Sequence, residues 1–288
     1  MRDRSSKHGP LPPRRLDIAA PRPILPPMKT TASPPPAPLP SPPCGAPQAA
    51  RPSALIVAHG SPADPEPQEA WLAALAVRVA MWCPGWTVRA ATLAADGALA
   101  RALAGLDRPV IYPFFMAEGW FTRTNLPKKL AAAGGEGLRQ LPAFGHDPEM
   151  PALLARAARD GAAAHGITPE GATLILAAHG SQVSRASATI TEEMAASLRR
   201  EAGFAAVVTG YVEEAPFLAD AARGISGPAI CLPFFATRAG HVAQDVPEAL
   251  AEAGFTGTLL PAIGEHSDAA RLIADALQAA PALQMAPA

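Results

Sequence analysis

Cysteine is scarce in this chain: three occur in 288 residues, Cys44, Cys83 and Cys231, and no two share a C-x-x-C spacing. That rules out a disulfide framework, a zinc ribbon and a cysteine-ligated iron–sulfur cluster as organising principles. No apolar run nears the roughly 20 residues that span a bilayer. The basic N-terminus has no continuous apolar segment behind it, so no secretory signal is read and a cytoplasmic location is expected. Three motifs are also missing: GxxxxGK[ST], a GxGxxG after a strand, and the GxSxG elbow. Their absence removes support for ATP-driven, NAD-dependent and α/β-hydrolase chemistry. An excess of one charge is lacking too, the formal net charge being -1. Residues 1–50 hold seven Lys/Arg against two Asp/Glu, which leaves 17 against 23 in the remainder. A mildly acidic body argues against nucleic acid as a partner, and nothing points to a membrane.

What is abundant is proline at one end and alternating apolar segments everywhere else. Residues 1–50 contain 15 of the 34 prolines, including PPPAPLPSPP at 34–43. Such a composition buries little apolar surface and reads as a disordered tail, a PxxP docking segment being the functional alternative. A translation start at Met28 is a third reading. From Ala54 onward, short β-branched runs alternate with Ala/Leu-rich helical stretches, the pattern of a parallel sheet flanked by helices. ALIVAHG, TVRAATLA, PVIYPFF and LRQLPAF read as strands, and the stretches between them and after them as helices. TLILAAHG, AVVTGYV, PAICLPFF and GTLLPAI repeat that order. The expectation is α/β, with two tandem four-stranded units, an N-terminal domain over 51–168 and a C-terminal domain over 169–288.

The repeat has a register. His59 to His179, Pro113 to Pro233 and Pro127 to Pro247 are each 120 residues apart, and LPAFG at 141 and LPAIG at 260 differ by 119. An internal duplication accounts for that spacing.

A strand running into His-Gly-Ser puts the histidine at the strand's carboxyl end, where ligands bind in open α/β sheets. Glycine lets the chain turn sharply there, and Ser61 and Ser181 are candidate helix caps. The bland reading is a turn whose histidine only bonds the backbone. Further along, ICLPFFATRAGHVAQDVPEAL carries a second histidine, His241, also beyond a strand's carboxyl end. Two such histidines in one sheet can converge on a metal ion or accept protons, imidazole having an unperturbed pKa of about 6.5. In the first half, the same register puts Phe121 where His241 stands, Asn125 for Asp245 and Lys128 for Glu248. Glu213 and Glu214, in GYVEEAPFL, correspond by the same subtraction to Leu93 and Ala94. They read either as a solvated acidic loop or as a carboxylate beside the histidines. Arg123, Lys128, Lys129, Arg185 and Arg238 lie near these loops and suit an acidic ligand, although solvated surface is their ordinary role. Trp71, Trp82, Trp86 and the Phe pairs at 114/115 and 234/235 read as core; Trp120 and Phe121 are placed to meet a flat ligand.

Taken together, AAHGSQ, GYVEEAP, LPFFATRAGHVAQDVPEAL and LPAIG resemble the class II tetrapyrrole chelatases, the sirohydrochlorin cobalto- and ferrochelatases, over about residues 53–278. The resemblance implies a fused two-half form in which each half is a chelatase-type domain. It implies that His179 and His241 handle the metal and serve with Glu213 in catalysis, Glu214 remaining an alternative. It implies a divalent substrate ion, Co2+ or Fe2+, with sirohydrochlorin as the acidic tetrapyrrole partner and neither ATP nor NAD. Ser181, Arg185, Arg238, Trp120 and Phe121 would contact the macrocycle. The half that carries Phe121 would be a degenerate lid, and the protein a monomer or a homodimer. A non-catalytic metal or tetrapyrrole carrier is the alternative function; a hydrolase using Ser181 or Ser61 lacks both an elbow and an acid partner.

Overall fold

The structure, a computed structural model, describes residues 51–237 and 243–280. The tail at 1–50 and the site candidates Arg238 and His241 lie outside the described residues.

Ser53–Ala58 (β1) is buried at every position, as an apolar strand must be when helices cover both faces of a sheet. It pairs in parallel with Thr87–Thr92 (β2) on one side and Val110–Pro113 (β3) on the other, giving the order β2-β1-β3. Thr173–Ala178 (β4) repeats the arrangement with Ala206–Tyr211 (β5) and Ala229–Pro233 (β6). Thr258–Leu259 (β7) adds a fourth strand beyond β6. Both sheets are parallel, as expected, but only the C-terminal one has four strands. In the N-terminal half LRQLPAF makes a single parallel bridge, Ile111 to Gln140. Gly137, left-handed at φ +66, bends the chain just before it. Pro142, just after it, has no N–H with which to extend the ladder.

Helices fill the intervals the sequence assigns to them: Glu66–Trp82 (α1), Ala98–Leu103 (α2), Leu126–Ala132 (α3), Met150–Ala164 (α4), Ala186–Glu201 (α5), Leu218–Arg223 (α6), Asp245–Glu252 (α7) and Ala269–Ala279 (α8). Because side chains alternate across a strand, each central strand feeds two cores. Leu55 and Val57 point outward to Leu99, Leu126 and Leu130 of α2 and α3. Ile175 and Ala177 do the same toward Leu218, Val246 and Leu250 of α6 and α7. The opposite faces, Ile56 from β1 and Leu174 and Leu176 from β4, join one continuous core with α1, α4, α5 and α8.

Within that core the halves are interlocked. Helix α4 follows the first half in sequence but packs on α5 and β6, and α8 packs on α1 and β3. Near the first crossing Gly161 leaves room for Leu260, whose side chain a Cβ there would approach to 2.5 Å. At the second crossing Gln278 Nε2 donates to the Trp82 carbonyl at 2.6 Å and Arg139 donates to the Ala280 carbonyl. Each half therefore completes its inner layer with the other's last helix.

Candidate active site

The carboxyl end of β4 delivers His179, and the sheet ladder sets its neighbour. The Val212 N–H donates to the Ala178 carbonyl (3.1 Å) and the Glu213 N–H to the His179 carbonyl (2.9 Å), so pairing runs past the end of both strands. Glu213 consequently stands beside His179, its Oε2 3.6 Å from Nδ1. The same Nδ1 lies 2.9 Å from the Gly180 carbonyl oxygen. A carbonyl can only accept, so in the neutral ring Nδ1 carries the hydrogen and Nε2 the lone pair. Gly180 is required for this turn. Its φ is +73, and a Cβ would sit 2.9 Å from both Tyr211 Cβ and Glu214 Cγ.

The first half builds the same turn with a different neighbourhood. His59 Nδ1 lies 2.7 Å from the Gly60 carbonyl oxygen, and the Ala94 N–H donates to the His59 carbonyl at 3.0 Å. The residue equivalent to Glu213 is therefore Ala94 and not Leu93, and Ala95 matches Glu214. The uniform register of 120 slips by one here because α1 has 17 residues and α5 has 16. It recovers by β3, since Leu55 faces Ile111 as Ile175 faces Cys231. Both acidic residues are lost from the first half under either alignment. Phe121 stands edge-on to His59, ring centroids 4.5 Å apart. It opens a π-helical turn, Phe121–Asn125, that runs into α3. Trp120 is 62% exposed and packs on Phe121 at 5.1 Å.

Both histidines line one cleft of about 470 Å³ between the halves, with Trp71, Phe121, Phe235 and Thr237 among its walls. The structure thus brings His179, Glu213 and Phe121 to the carboxyl ends of the two sheets. Arg185 is exposed at the start of α5. The hydroxyl of Ser181 accepts from the Val183 and Ser184 N–H groups, each at 3.2 Å. It thereby forms the turn itself; α5 begins only at Ala186, so Ser181 does not cap that helix. Two basic candidates have protein partners. Arg123 pairs with Glu118 at 2.9 Å, and that hydrogen bond holds the Glu118 carboxyl below its ordinary range. Lys129 Nζ donates to the Leu93 carbonyl at 2.6 Å.

Sequence reasoning put Trp71 in the core, yet it also lines the cleft while packing on Phe114 at 5.8 Å. Its place in the second turn of the helix that follows the first His-Gly-Ser was the available signal. Trp82 is half-exposed, with the Arg271 guanidinium 5.4 Å from its ring centroid. Among the described residues no three His, Cys, Asp or Glu side chains form a metal-binding group. No helix among them is long and apolar enough to cross a membrane.

Two interlocked parallel α/β halves, with a histidine at the carboxyl end of each central strand and a shared cleft above, define a protein of the class II chelatase type. Residues 173–280 match the CbiX family model. A solved CbiX, described as the terminal enzyme for biosynthesis of siroheme in denitrifying bacteria, is 48% identical with a TM-score of 0.74. The alignment covers 80% of this chain and 99% of that one. The chain belongs to the CbiX family. SirB from Bacillus subtilis, solved with Fe3+, shares the fold at 15% identity and TM-score 0.66, over 81% of this chain and 97% of that one. DR2241 from Deinococcus radiodurans, a multi-domain protein structurally similar to chelatases, shares it at 22% identity and TM-score 0.58. That match spans 80% of this chain and 54% of DR2241. No curated protein matches the sequence.

Proposed function

We propose that this protein is a sirohydrochlorin chelatase, inserting Co2+ or Fe2+ into the macrocycle without ATP or NAD, with its working site in the C-terminal half. The observation that carries the reading is the approach of Glu213 to His179, a histidine that lines the cleft shared by both halves. Membership of the CbiX family supports the substrate class.

Insertion exchanges one divalent ion for two pyrrole N–H protons, and the ion must shed water as it enters. His179 supports this through Nε2, whose lone pair follows from the bond of Nδ1–H to the Gly180 carbonyl. His241, assigned by motif, would be its companion as metal ligand and proton acceptor. Glu213 would draw the cation in and stabilise His179 once protonated, its carboxylate lying on the Nδ1 side. Trp120 and Phe121 would meet the face of the macrocycle. Arg185 and Arg238 would bind its carboxylates. Ser181, whose oxygen the backbone occupies, retains a hydroxyl hydrogen to donate. Phe121 can neither ligate nor accept a proton, so the N-terminal half acts as the lid.

The test is the absorbance of sirohydrochlorin mixed with Co2+ or Fe2+ and either wild type or His241→Ala. The metallated spectrum should form with wild type and be strongly slowed in the variant. Pigment binding without insertion by wild type would support a carrier instead.

A further inference from the structure

Two adjacent glutamates follow β5, and the structure gives them different tasks. Glu213 faces His179, whereas Glu214 folds back over the His-Gly-Ser turn. Its Oε1 accepts the Ser181 N–H at 3.0 Å, and its Cγ lies 2.9 Å from where a Cβ on Gly180 would sit. The turn is otherwise tied by Ser187, whose Oγ accepts the Gly180 N–H at 3.2 Å. The His179 carbonyl is in turn held by the Glu213 N–H at 2.9 Å. Every polar backbone group from the His179 carbonyl to the Ser181 N–H thus has a named partner, and the last of them, the Ser181 N–H, is held by an oxygen of Glu214. That turn carries the Gly180 carbonyl, which sets the tautomer and tilt of His179. In the half whose histidine lacks an acidic neighbour, Ala95 and Pro67 stand in place of Glu214 and Ser187, so neither tie can form.

We propose that Glu214 is a positioning residue for His179: its carboxylate clamps the His-Gly-Ser turn so that Nε2 is presented to the incoming ion. It acts through the backbone and not as a second carboxylate in the cleft. The inference rests on the reading of His179 and Glu213 as the working pair.

Two substitutions separate reach from charge. Glu214→Gln keeps an oxygen acceptor at the same distance and removes the charge. Glu214→Asp keeps the charge and withdraws the acceptor by about 1.5 Å, one carbon–carbon bond, out of reach of the Ser181 N–H. Removing a partner that orients a metal-handling histidine typically lowers metal affinity or activity by about 10- to 100-fold. The expected result is near-wild-type Co2+ insertion by the Gln variant and a loss of about tenfold or more in the Asp variant, with the tetrapyrrole KM unchanged. The reverse order, or an equal loss in both, would show that charge and not the clamp matters. No loss in either would also overturn the proposal. Amide exchange at Ser181, read by NMR, judges the clamp independently: it should be slow in wild type and Glu214→Gln and fast in Glu214→Asp. If wild type inserts no metal but this exchange pattern holds, the functional reading fails while the clamp stands; uniform exchange across all three sinks the clamp.

Discussion

Phe121 packs its ring edge-on against His59, centroids 4.5 Å apart at an interplanar angle of 80°, while His179 has a carboxylate 3.6 Å from its Nδ1. Two turns of the same backbone design thus sit in chemically different surroundings on opposite walls of one cleft. The frame is common to both, and among the described residues one copy combines the imidazole with an acid.

The two turns depend on glycine to a degree that can be measured against a control. Gly180 and Gly203 both have left-handed φ values, +73 and +78, but only Gly180 has atoms where a Cβ would go. Alanine in the left-handed region costs about 1–2 kcal/mol on backbone grounds alone. Urea unfolding should show that cost for Gly203→Ala and a clearly larger one for Gly180→Ala, because Tyr211 and Glu214 must also move. Equal losses would mean that the close approach at Gly180 is unimportant.

The interlocking of the halves predicts a single cooperative transition. All four tryptophans, at 71, 82, 86 and 120, lie in the first half, whereas Leu277 is fully buried on α8 in the second. Leu277→Ala should cost about 2–5 kcal/mol. Tryptophan fluorescence should report the same shift in urea midpoint as far-UV circular dichroism. A fluorescence midpoint left unchanged would contradict the packing of α8 on α1.

Asp147 gives a pH dependence whose sign is set by burial. Its carboxyl accepts the Glu149 N–H at 2.9 Å and lies 3.5 Å from the Tyr112 hydroxyl, and burial raises its pKa above the ordinary range. The folded protein therefore keeps this proton where the unfolded chain, with an Asp pKa of about 3.9, has released it. The stabilisation is fully present below that value and is lost as pH rises through the raised folded value. Melting temperatures across the acidic range should show Asp147→Asn gaining on wild type as pH rises. A constant difference would mean that Asp147 titrates alike in the folded and unfolded protein.

Much of this architecture was written in the sequence because period and register are local properties. The apolar runs ending in His-Gly-Ser placed both central strands. LPAIG served as a register landmark, and the structure adds why it ends in glycine, since a Cβ on Gly264 would collide with the Ala236 carbonyl. The exchange of α4 and α8 was not legible: an amphipathic face shows that a helix is covered, not which sheet covers it. Uniform subtraction pairs Glu213 with Leu93 where the ladder pairs it with Ala94, because subtraction cannot see one residue more in α1 and one fewer in the turn after β2. Trp71 was assigned to the core because one side of an indole can pack while the other borders a cleft.

In the proposed division of labour one half does the chemistry, although both halves present a histidine to the same cleft. Single-turnover insertion of Co2+ into sirohydrochlorin, compared between His179→Ala and His59→Ala, tests it most directly. Loss of an acid–base or ligand group should lower the His179→Ala rate by about 100-fold or more, with His59→Ala staying within about threefold of wild type, under 1 kcal/mol of barrier. Equal losses in the two variants, or a larger loss for His59→Ala, would contradict the account.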